Sequence, residues 1–254
     1  MTTPPEPPAP APPPEPPAPG AVVPPAAAWS TPALPPAERV RVAWQDRTRS
    51  DYQFVNPWLN VFLVLITCGI YGFYLFYQLV RRDRDHNRRR LELLDGATTF
   101  AWDEAYKRGV AEELRPNFER IAVHLQTMRQ MTTDFRDPAI WLLISLVAST
   151  VAHIVAFVLL DQDLIKHDRA EGAVEAELAA IYARLGQPLP DSNPARVKHE
   201  DNYVGRIVAT IVSCGFYLLW WWVDQQRDGD AHYAQNWPWE DSLAQAVQSL
   251  QAAS

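Results

Sequence analysis

The sequence predicts an all-α integral membrane protein with three transmembrane helices, helical connectors and a disordered proline-rich N-terminal tail. Three observations carry this expectation: three apolar runs free of charge, a proline-rich first segment, and an internal repeat that lays the first run onto the third. Over 254 residues, 48% hydrophobic and 21% charged with a net charge of −7, the averages conceal these segments because tail, apolar runs and polar connectors are pooled. Two cysteines, both inside apolar runs, exclude a disulfide framework or a CxxC site. Acidic and basic residues are mixed through the connectors, so no basic face for nucleic acid is expected.

The tail spans residues 1–37 and holds 16 of the 23 prolines. Proline fixes φ and removes donors, so this stretch is expected as an extended polyproline II spacer that builds no core. Residues 38–97 form the first repeat, with a transmembrane helix at 57–80, since no charge occurs between Asp51 and Arg81. The basic stretch from Arg81 continues that helix out of the membrane. Residues 98–137 form an amphipathic connector: Gly96 breaks the pattern, Thr98 or Thr99 caps a new helix, Pro116 ends it, and Phe118, Ile121, Leu125, Met128 and Phe135 make a stripe on the next.

Residues 138–186 comprise a second transmembrane helix, 138–160, with Pro138 in its first turn, and an acidic extension striped by Ala170, Val174, Leu178, Ile181 and Leu185. Residues 187–254 comprise a loop, the second repeat copy with a transmembrane helix at 204–223, and a C-terminal amphipathic helix bearing Leu243, Val247 and Leu250. The uncharged part of the third run is only residues 207–223, so Arg206 must snorkel. Trp58, Tyr77, Arg81, Arg82, Trp220, Trp221 and Trp222 are expected as anchors at the membrane interface.

A shift of 146 positions pairs Cys68 with Cys214, Gly69 with Gly215, Tyr71 with Tyr217, and His86 with His232. Two intervening crossings would make helices one and three parallel, the second antiparallel to both, and place the chain ends on opposite sides. Six arginines after the first run against four before it place the connector 81–137 in the cytoplasm of a multi-pass cell-membrane protein.

The segment Thr67-Cys68-Gly69-Ile70-Tyr71-Gly72-Phe73-Tyr74 resembles the T-x-G-I-Y-G-x-Y signature of bacterial membrane proteins grouped as domain of unknown function 4234, here duplicated. The resemblance implies an integral membrane protein and no particular activity. Leu75 stands where that signature has Trp.

Charge is absent from the apolar runs, and no G-x-S-x-G, P-loop, GxGxxG or HExxH motif occurs, so no enzyme, catalytic residue or cofactor is expected. The sharpest site hypothesis is an intramembrane metal or haem cluster of Cys68, Cys214 and His153; the bland alternative reads these as packing residues. His86 and His232 are read as polar helix residues just outside the membrane. The expected function is a membrane-anchored scaffold or assembly module, with the lipid bilayer and either a protein partner or a homo-oligomer as partners. A transporter or channel subunit is the alternative, with Asn60, Thr67, Thr210 and Ser213 facing a lumen.

Overall fold

The computed structural model describes residues 34–192 and 202–253; the proline-rich stretch before residue 34 lies outside the described residues. The described residues form helices and no strand: α1 (Pro36–Gln45), α2 (Arg47–Ser50), α3 (Pro57–Ile66), α4 (Ile70–Lys107), α5 (Ala111–Thr133), α6 (Pro138–Arg184), α7 (Tyr203–Val212) and α8 (Phe216–Ala253). The protein is all-α.

The first apolar run is not one helix. α3 stops at Ile66, and Cys68 and Gly69 adopt left-handed φ values of 50° and 89° before α4 begins. The N–H of Gly69 donates to the Val64 carbonyl at 2.8 Å and that of Cys68 to Leu65 at 3.2 Å, the bond pair of a Schellman C-cap. The Thr67 hydroxyl then accepts from the Tyr71 N–H at 3.0 Å and so starts α4. The third run repeats this turn. Cys214 and Gly215 have φ of 50° and 92°, Gly215 N–H donates to Thr210 at 2.8 Å, and the Ser213 hydroxyl accepts from Tyr217 N–H at 2.9 Å.

These turns reverse the chain. The Tyr71 hydroxyl donates to the Asn60 side chain across the turn at 3.0 Å, and the Arg82 guanidinium lies 4.6 Å from the Phe54 ring centroid. In a continuous helix, residues 54 and 82 would be on the order of 40 Å apart. In the last unit, Arg206 of α7 pairs with Asp224 of α8 at 3.1 Å.

By length and hydropathy, α6 is the one described helix able to cross a membrane. Its apolar part nevertheless contains a third reversal, at Ala148 (φ −114°, ψ 17°) and Ser149 (φ 9°, ψ −96°). Arg136 just before α6 pairs with Asp163, which a straight helix would hold roughly 40 Å away. The expected continuous helices at 57–80, 138–160 and 204–223 are therefore helical hairpins, each with a short apolar arm packed back on a long helix.

The repeat has a third member, between the two that the 146-residue shift pairs. The arms are capped by Asn56, Asp137 and Asn202, whose side chains accept from N–H groups of the first turn. Each cap stands twelve residues before the reversal (Cys68, Ser149, Cys214) and thirty before a histidine (His86, His167, His232). The long helices are also buried in register. Leu75, Ala156 and Trp221 are enclosed at one level, Leu94, Glu175 and Glu240 at another, and Ala97, Leu178 and Leu243 at a third. Phe157 and Trp222 meet at a centroid distance of 5.2 Å. Matching levels require the three long helices to run parallel, in place of the expected antiparallel second helix.

Two hydrophobic clusters result. One lies among the hairpins and includes Leu75, Phe76, Phe157, Leu160, Trp221 and Trp222. The other lies beyond the histidines, where α1 and α5 pack around the long helices. The stripes Phe118, Ile121, Leu125, Met128 of α5 and Ala170, Val174, Leu178, Ile181 of α6 with Leu185 at its C-cap are buried there, as are Leu243, Val247 and Leu250 of α8, whereas Phe135, expected on the α5 stripe, lies beyond that helix and packs against the hairpin cluster. Gly96 does not break α4. It lets α1 approach closely, since a Cβ there would lie 3.2 Å from the Pro36 carbonyl. Pro116 sits inside α5 as its sixth residue and ends no helix; having no N–H, it forgoes the intrahelical bond to the Glu112 carbonyl.

Candidate functional site

Between the two hydrophobic clusters lies a buried polar layer. At its centre the three repeated histidines meet. Their ring centroids are 5.1 Å (His86–His232), 5.3 Å (His86–His167) and 5.8 Å (His167–His232) apart, with interplanar angles of 72°, 70° and 77°. All three are at most 4% exposed. One position on three parallel helices thus supplies one triangle of imidazoles.

Carboxylates orient two of the rings. His86 Nδ1–H donates to Asp51 Oδ1 at 2.9 Å, which directs Nε2 inward, where it has no hydrogen-bond partner. His232 Nδ1 lies 3.2 Å from Asp168 Oδ1. Glu171, four residues after His167, places Oε2 at 3.3 Å from His232 Nε2 and 3.5 Å from His167 Nε2. Its other oxygen is held by Arg90 Nε and by Asn236 Nδ2, the latter at 3.0 Å. His86, His167, His232 and Glu171 have their donor atoms within 4.8 Å of one another, and among the described residues this is the one such group of potential metal ligands.

An arginine network surrounds this centre. Arg90 contacts Glu171, Glu175 (2.5 Å) and Glu240 (2.8 Å), and Arg89 spans Asp51 (2.6 Å) and Glu240 (2.8 Å). Arg82 reaches through the space left by Gly229 to the Gln225 carbonyl at 2.8 Å and to Asp230 at 2.6 Å. Burial alone would raise the Asp51 carboxyl, but His86, Arg89 and the Trp237 indole outweigh it and hold the carboxyl well below the usual range.

The histidines titrate in opposite directions. Burial pulls His86 down to about 4 against the pull of Asp51, and burial likewise holds His167 well below its usual value against Glu171. Burial also opposes the charge on His232, yet Asp168 and Glu171 carry it up to about 9. An unfolded histidine titrates near 6.5, so the first two rings cost stability as pH falls from about 6.5 toward 4. The third contributes stability that is complete below about 6.5 and lost as pH rises toward 9. Thermal melts of chelator-treated protein in mild detergent are expected to show a maximum near pH 6.5, with His232→Gln flattening the alkaline limb. Melting that is constant from pH 5 to 9 would contradict this assignment.

The residues expected to form sites are placed differently. Cys68 and Cys214 are exposed at the hairpin turns. His153 is buried among Phe76, Phe157 and Trp222, donating from Nδ1 to the Ser149 carbonyl at 2.7 Å. The three form no cluster, because the hairpin turn puts the cysteines at its outer tip. Gly69, Tyr71, Gly215 and Tyr217 build the turns. Of the expected interface anchors, Trp58 and Trp220 stay half exposed and pair edge to face at 5.4 Å. Arg81 pairs with Asp85 at the surface, and Tyr77 is half-buried. Arg82, Trp221 and Trp222 are instead buried inside the bundle, since the folded-back arms cover them.

The fold and site together define a class of protein: a threefold-repeated helical bundle, apolar at one end and centred on a histidine triangle. Comparison with protein-family models, curated proteins and solved structures finds no match to this chain.

Proposed function

We propose that this chain is a membrane-anchored, non-catalytic scaffold that inserts three helical hairpins into one leaflet and keeps its helical bundle on the same side. The hairpin tips carry the reading. Leu65, Ile66, Ile70, Leu143, Val147, Val151, Ile211, Val212 and Phe216 are exposed there by 54–90%, apolar area that water would penalise. Each arm of α3 or α7 has ten residues, or about 15 Å, half of a hydrocarbon core of about 30 Å.

The backbone of the turns suits lipid as well. Every N–H from 67 to 72 and from 213 to 218 donates to a carbonyl or to the Thr67 or Ser213 hydroxyl. Irregular backbone at membrane depth needs such internal partners, because lipid offers none. The same turn, we propose, is what the T-x-G-I-Y-G-x-Y signature of domain of unknown function 4234 encodes. The polar residues that a pore reading would use are engaged locally. Asn60 bonds Tyr71 and Gln226, the Thr67 and Ser213 hydroxyls cap α4 and α8, and the Thr210 hydroxyl donates to Arg206.

Arginines just beyond the apolar stretch, including Arg81, Arg84 and Arg88, favour the cytoplasmic leaflet. Single cysteines at the exposed positions Thr48 and Ala252, in a background lacking Cys68 and Cys214, test the topology. Both are expected to react with a membrane-impermeant maleimide from the same side of sealed vesicles. Reaction from opposite sides would restore three crossings and defeat the one-leaflet reading.

A further inference from the structure

Four residues on three helices converge in the polar layer, and three of them have outer partners of the kind that metal ligands use. Imidazole nitrogens bound at about 2.0–2.1 Å in a tetrahedron lie roughly 3.3 Å apart. The edges from Glu171 Oε2 to His232 Nε2 (3.3 Å) and to His167 Nε2 (3.5 Å) have this length already. His86 Nε2 is buried without a hydrogen-bond partner, and His86 is one of the four residues whose candidate ligand atoms lie within 4.8 Å of one another.

The outer partners match as well. Metal-binding histidines hold their second nitrogen on a carboxylate, which fixes the ring and raises its basicity. Asp51 does this for His86 through a bond of 2.9 Å, and Asp168 stands as an ion-pair partner 3.2 Å from Nδ1 of His232. Glu171 is aimed by Arg90 and Asn236 through the oxygen that does not face the rings. The repeat explains the assembly: one position in each unit gives a histidine, and the middle unit adds a carboxylate one turn later.

We propose that His86, His167, Glu171 and His232 bind one zinc-class divalent transition metal ion as a closed structural site. Four protein ligands and complete burial leave no open position for a substrate, so the ion ties the three units together at their shared axis. Nitrogen and carboxylate donors suit zinc, cobalt(II) or iron(II) and disfavour the soft copper(I) that thiolates would select. This proposal does not rest on the membrane reading, since the site lies beyond the hairpins.

The test uses the full-length protein purified in mild detergent, stripped with chelator, and titrated with Zn²⁺ against a chromophoric chelator. One zinc per chain is expected. His86→Ala, His167→Ala and His232→Ala should each weaken binding by more than the roughly 10–100-fold that a lost outer partner costs. His124→Ala, on α5 away from the cluster, should leave it unchanged. X-ray absorption of the zinc-loaded wild type needs no variant. It should show nitrogen and oxygen donors with the outer-shell scattering of about three imidazoles. Absence of stoichiometric zinc, sulfur in the first shell, or scattering from fewer than two imidazoles would overturn the proposal.

Discussion

Arg90→Met is expected to lower the stability of the protein by about 3–5 kcal/mol, the usual cost of removing one partner from a buried ion cluster. The guanidinium is fully buried and holds Glu171, Glu175 and Glu240, which come from two different long helices. Its loss takes one buried cation from three buried carboxylates at once, while Arg89 stays on Glu240 and Asn236 on Glu171. Chemical denaturation in detergent, followed by circular dichroism, measures the effect. Adding Glu175→Gln to the variant should recover part of the loss, because one buried charge is then removed. Arg184→Met, which breaks an exposed pair with Glu113, should leave the midpoint unchanged. A shift for Arg90→Met no larger than that for Arg184→Met would mean that the polar layer does not hold the helices together.

The triple substitution Ile70→Asp, Val147→Asp and Phe216→Asp should release the protein from membranes. These residues stand at the three tips and are exposed by 73%, 90% and 73%. Placing a carboxylate in hydrocarbon costs about 2.5–3.5 kcal/mol per residue, so three together weaken insertion on the order of 8–10 kcal/mol. The tips are largely exposed, so the fold itself should survive. Flotation on liposomes is the measurement: wild type rises with the vesicles, and the triple variant stays at the bottom with its helical signal intact. A triple variant that still floats would remove the tips from the membrane contact.

How far this architecture could be read from the sequence depends on which signal was asked. Apolar runs and stripes gave the helices, and the faces marked by Leu125, Val174 and Leu243 are buried as their spacing implies. Hydropathy cannot tell a spanning helix from a folded-back pair, because both are apolar throughout. The signal for reversal was present in Thr67-Cys68-Gly69 and Ser213-Cys214-Gly215: a glycine in mid-run preceded by a hydroxyl residue that can cap the next helix. The middle unit was hidden because Ala148-Ser149-Thr150 replaces that triplet, with a polar Asp137-Pro138 start its main resemblance to Asn56-Pro57. The histidine triangle followed from the same omission. His86 and His232 matched across the duplication, while His167 could join them only once Asp137 was aligned with Asn56 and Asn202. Arg82, Trp221 and Trp222 were misplaced for a related reason, since residues at the end of a run are interfacial only where no arm folds back over them.

The central claim is the reversal of the chain within each apolar run, and one distance tests it most directly. Spin labels at Val55 and Arg81, in protein reconstituted into bilayers, flank α3 and the first part of α4. With Phe54 against Arg82, pulsed dipolar spectroscopy is expected to report a separation below roughly 20 Å. A separation near 40 Å, the length of a continuous helix over those residues, would contradict the hairpins and with them the one-leaflet account.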